Sequence, residues 1–111
     1  MGKVLQIRVS AWTWNEDLVS EAWPRLSELA FSVPLKHEKH GVLEMVQSLG
    51  DGLQFMKWPE ERRKALTSGI EKCVDIKRRL EGALANWNPR EANSLSEELE
   101  RELDGLERAY R

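Results

Sequence analysis

Apolar and polar residues alternate along residues 3–14: Leu5, Ile7, Val9 and Ala11 fall on one side, Gln6, Arg8 and Ser10 on the other, and the run ends in Trp12 and Trp14. A period of two is the mark of a half-buried strand, so a short N-terminal β-strand is expected over this stretch. From Asn15 the period becomes helical. Asn15 offers a capping oxygen, Glu16 and Asp17 place negative charge in the first turn, and Leu18, Ala22, Leu26 and Leu29 keep helical spacing to Phe31. A helix over 16–31 follows, with a kink or short break at Pro24, which has no N–H to bond the carbonyl of Ser20.

Residues 32–40 contain Pro34 and mostly polar groups and read as a loop. Val42, Val46, Leu49, Leu53 and Met56 then recur at alternating spacings of four and three, predicting a helix over 41–56. Gly50 and Gly52 inside it mark either local weakness or close packing. Trp58-Pro59-Glu60-Glu61 is a break followed by a helix start, because proline suits the first helical position. The helix over 59–86 carries a seam of Leu66, Ile70, Cys73, Lys77, Leu80, Leu84 and Trp87, and Ser68 with Glu71 could form a capping box that joints it near Thr67–Gly69. Asn88-Pro89-Arg90-Glu91 repeats the start signal for a helix over 89–110. Its stripe is Ala92, Leu95, Leu99, Leu103, Leu106 and Tyr110, with Glu97–Arg101, Asp104–Arg108 and Glu107–Arg111 set to pair along its surface. The expectation is a mostly α protein in one domain spanning 1–111: an antiparallel helical bundle of about four helices with one short N-terminal β-strand.

Composition narrows the function. With 41% hydrophobic and 32% charged residues the chain is too apolar for disorder, and a formal charge of −2 provides no overall basic field for nucleic acid or anionic lipid. No run approaches the length of a membrane span, and Arg8 interrupts the N-terminal apolar stretch, so neither a membrane anchor nor a secretory leader is expected. One cysteine, Cys73, excludes an intrachain disulfide and fits a reducing, cytoplasmic setting. Its place on the apolar seam reads as a buried, inert thiol. Lys77, on the same seam, either sets register or reaches to the bundle edge. There is no Gly-rich phosphate loop, nucleophile elbow or His-Glu-x-x-His, and pairs such as Glu98 with Glu102 are ordinary on a charged helix. Neither an enzyme nor a cofactor is called for.

The strand carries the most information, because its backbone groups need partners and no later segment alternates well enough to provide them. Pairing with a second copy in a homodimer, or with another protein, meets that need. The interface candidates are Leu5, Ile7, Val9, Trp12 and Trp14, with both tryptophans exposed unless something covers them; core filling is the plainer use of tryptophan. Trp58 and Trp87 read as packing anchors at bundle ends. The function expected is a non-enzymatic protein–protein interaction or adaptor module that self-associates.

Two alternatives have weaker signals. Residues 57–79 hold eight basic and four acidic residues, leaving +4, and Arg62, Arg63, Lys64, Arg78 and Arg79 could contact phosphates. Residues 90–111 carry seven acidic and four basic residues, net −3, so charge complementarity between packed helices accounts for the same pattern. His37, His40 and Glu44 are ligand types for zinc or iron, yet their spacing matches no established metal motif and a solvated loop explains them.

Overall fold

The computed structural model describes residues 10–31 and 39–110. It is mostly helical: α1 (Asp17–Ala22), α2 (Pro24–Phe31), α3 (Val42–Phe55), α4 (Glu60–Ala85) and α5 (Pro89–Ala109). No described helix is long and apolar enough to cross a membrane.

No strand forms among the described residues, which corrects the reading of 10–14; Leu5, Ile7 and Val9 lie outside them. The physical reason is that this stretch caps helices instead of joining a ladder. Thr13 Oγ1 accepts a hydrogen bond from the backbone N–H of Val42 at 2.7 Å, at the start of α3, and Asn15 Oδ1 accepts from Asp17 N–H at 3.0 Å, at the start of α1.

The longest contact is between α4 and α5, joined by a short turn and therefore antiparallel. Their register is visible in three pairs: Gly69 faces Leu106, Lys72 Nζ lies 3.6 Å from Glu102, and Arg79 Nη2 lies 3.6 Å from Glu98. The opposite charges of the two helices thus meet across their interface. The capping box offered by Ser68 and Glu71 does not divide α4, which runs unbroken through Thr67–Gly69 as the single helix expected. Its buried face is Leu66, Ile70, Cys73, Ile76, Leu80 and Ala83. This keeps the predicted seam at Leu66, Ile70, Cys73 and Leu80 and departs from it by one residue at Ile76 and Ala83; beside Lys77, isoleucine is the side chain that can be buried without burying a charge. Ile76 therefore takes the inward position, and Lys77 lies to the side with its ammonium 3.0 Å from Glu81.

Trp87 is no packing anchor: it is 66% exposed, with φ of 58°. It follows the C-cap Asn86, its N–H donates to Leu84 O at 3.1 Å, and Asn88 N–H donates to Ala83 O at 2.8 Å. This pair of bonds closes a helix end in the form that usually places glycine where Trp87 stands. Trp58 does pack: an added Cβ at Gly52 would collide with its ring, so glycine is required there for the indole to rest on α3. Phe55, the last residue of α3, is 77% exposed.

Pro24 divides the predicted first helix in two. Trp23 N–H still bonds Val19 O and closes α1, while Trp23 O accepts from Ser27 N–H and opens α2. Tryptophan has no side-chain oxygen to cap the new N-terminus, and α5 provides one. Glu107 accepts from Leu26 N–H at 2.9 Å through Oε1 and from Arg25 N–H at 3.3 Å through Oε2. One helical turn away, Asp104 Oδ1 accepts from the indole N–H of Trp23 at 2.8 Å. These two carboxylates were expected to pair with Arg108 and Arg111 on the surface of α5; Asp104 meets the Trp23 indole and Glu107 the N–H groups of α2, while Arg111 lies outside the described residues.

Two stability effects follow. Glu107→Ala is expected to destabilise the fold by about 1–2 kcal/mol in chemical denaturation, the range for losing an N-cap, whereas Glu97→Ala on the exposed face of α5 should stay within about 0.5 kcal/mol. Equal effects from the two variants would contradict the cap. Trp87→Gly is expected to stabilise by about 1 kcal/mol by relieving the left-handed backbone, read as a raised Tm.

Candidate functional site

The N-terminal segment that caps α3 also forms one wall of a cleft of ≈ 420 Å³. Trp12 and Trp14 line it together with Leu18 of α1, Leu43 of α3, Leu80 of α4 and Leu99 of α5. Trp12 is 83% and Trp14 82% exposed, so neither indole is core filling, and Leu18 joins them at 41%. The segment is held in place by the Thr13–Val42 bond. That bond depends on Gly41, where an added Cβ would lie 2.7 Å from Thr13 Oγ1 and closer still to Glu44 Oε1. Buried Trp23 lies at the cleft's inner side, linking the site to the Asp104 contact.

Among the described residues, the ionisable ones lining this cleft are Glu100 and Asp104, both acidic and four residues apart on α5. Apolar walls with a few polar groups at one edge are the usual make-up of a binding cleft. Pattern reading singled out Trp12 and Trp14 but not Leu18, Glu100 or Asp104. The spacing of the two carboxylates was visible in the sequence; what lay opposite them was not.

The basic candidates do not share one face. Arg62 lies over the Tyr110 ring at 5.5 Å, Arg63 Nη1 donates to Met56 O at 3.5 Å, and Lys64 lies 3.9 Å from Glu60. Arg79 meets Asp75 at 3.1 Å as well as Glu98, while Arg78 lines a separate groove of ≈ 780 Å³ between α3 and α4. That groove is larger than the tryptophan cleft, but Arg63, Lys77 and Arg78 share it with Asp51, Glu71 and Glu81, so neither sign of charge prevails.

Of the metal candidates, His37 lies outside the described residues. The His40 ring stacks on Phe31, with centroids 4.1 Å apart and planes 8° from parallel, and the Glu44 carboxylate folds back over Gly41. Among the described residues no three His, Cys, Asp or Glu side chains are arranged to hold a metal.

Cys73 is 1% exposed, and burial pushes its thiol pKa up to about 12 from 9.0; Glu102 adds to the rise and Lys72 opposes it. An unfolded thiol ionises first, so the contribution of this group to stability is intact below pH 9.0 and declines as pH rises toward about 12. Native protein at pH 8 is accordingly expected to react with iodoacetamide on the order of a hundredfold more slowly than denatured protein. Equal rates would place the thiol at the surface.

No protein-family model, curated protein or solved structure matches this chain, so its own geometry is the ground for function.

Proposed function

We propose that this chain is a non-enzymatic protein–protein interaction module that self-associates, with the tryptophan cleft as its contact surface. The observation that carries the reading is the exposure of Trp12 and Trp14 beside an apolar cleft. An indole in water leaves a large apolar area unburied, and tryptophan is among the residues on which binding energy concentrates. Exposed clusters of this kind mark interaction sites on soluble proteins. The alternating residues Leu5, Ile7 and Val9 belong to the same reading, as apolar side chains available to a partner copy. A homodimer is the simplest assembly, and a cytoplasmic setting agrees with a lone thiol kept away from oxidation.

The test is mass in solution, measured by light scattering over a range of concentrations. The wild-type chain is expected to pass from monomer to dimer as concentration rises. Replacing both Trp12 and Trp14 by Ala is expected to raise the Kd about a hundredfold or more, with helical content unchanged. An unchanged Kd would remove the tryptophans from the interface, and a wild-type chain that stays monomeric throughout would end the reading.

A further inference from the structure

Beside the Trp58 indole lies a cavity of ≈ 40 Å³, bounded by Leu29 and Ala30 of α2 and by Ser48 and Gly52 of α3. Ser48 is 7% exposed, and its Oγ, shielded from solvent, has no hydrogen-bond partner in the protein. Among the described residues no other buried side-chain oxygen or nitrogen lacks one. A buried hydroxyl in that position has given up its bonds to water and gained nothing in exchange.

A second polar group borders the same space. Ala30 is buried in the last turn of α2, where a carbonyl has no intrahelical donor unless the helix continues. The donor four residues on would be Pro34, which has no N–H, so a longer helix could not satisfy the Ala30 carbonyl. Asp51 lines the cavity as well; its Oδ1 accepts from Gln47 Nε2 at 3.1 Å, and its second oxygen remains an acceptor. Size then selects the ligand. A water molecule takes up about 30 Å³ in the liquid, whereas an apolar cavity that binds benzene measures roughly 150 Å³. The space beside Trp58 has room for a water molecule and none for a ring.

We propose that this cavity is a binding site for one internal water molecule, which accepts a hydrogen bond from the Ser48 hydroxyl and donates to the Ala30 carbonyl and to Asp51. Three bonds of this kind are the usual complement of a buried water. The water ties the last turn of α2 to the middle of α3. None of the residues around it lines the tryptophan cleft, so the site stands independently of the self-association reading.

The experiment compares Ser48→Ala with Ser68→Ala in the full-length chain. Ser68 is an exposed residue inside α4, so its replacement reads the gain in helix propensity alone and is expected to leave Tm level or slightly raised. Ser48→Ala is expected to lower Tm by about 4 °C, because the water loses its donor and the groups it bridged lose their contact. A dry cavity predicts the opposite sign, since removing an unpaired hydroxyl relieves the fold; a Tm unchanged or raised by Ser48→Ala would overturn the site. Oxygen-17 magnetic relaxation dispersion counts long-lived waters directly. The wild-type chain is expected to hold one more than a Ser48→Val variant of unchanged helical content, whose added apolar groups take up the space. Equal counts would overturn the proposal whatever the Tm values.

Discussion

The arrangement of the first two helices depends on a cap that their own sequence cannot provide. Pro24 ends the hydrogen-bond ladder of α1 and begins α2, leaving N–H groups on Arg25 and Leu26 with no oxygen on the preceding residue to receive them. Glu107 receives both, and Asp104, one turn earlier on α5, holds the indole of Trp23 at the break. Together they fix where α1 leaves α2 and hold Trp23 at 4% exposure. Trp23 also lines the tryptophan cleft, so the cap that secures the fold shapes the site.

Local periodicity made much of this architecture legible. The stripe of Ala92, Leu95, Leu99, Leu103 and Leu106 is the buried face of α5, because a helix with one apolar side has one way to turn it from water. Reading α4 with a coiled-coil repeat worked at Leu66, Ile70, Cys73 and Leu80 but placed Lys77 where Ile76 belongs, because periodicity alone does not weigh the cost of burying an ammonium. Asp104 and Glu107 were out of reach for another reason. Helix-surface rules see neighbours three and four residues away, and the partners of these carboxylates lie about eighty residues away on another helix. Alternation over residues 3–14 was misleading at its end, since a stretch of extended chain used to cap α3 shows the same period as a strand.

The charged surface shows the same division between what is local and what is not. Counted along the chain, residues 57–79 form a basic block. Wound on α4 at about 100° per residue, the block separates: Arg79 and Lys72 face the carboxylates of α5, Arg63 and Arg78 line the groove with α3, and Arg62 covers Tyr110. The tryptophan cleft runs the other way. Its parts come from the N-terminal segment and four of the five helices, and they make an acidic, apolar surface that no single stretch of sequence displays.

The distance along the chain between the α1–α2 break and its cap has a bearing on biosynthesis. Synthesis delivers the proline break about eighty residues before Asp104 and Glu107. Until α5 has been made, the start of α2 lacks the Glu107 cap and the indole of Trp23 lacks Asp104. The α4–α5 hairpin, built from neighbouring segments, has no such wait. The α2 cap therefore forms only once α5 has been made, while the contacts within the α4–α5 hairpin close over a shorter stretch of chain.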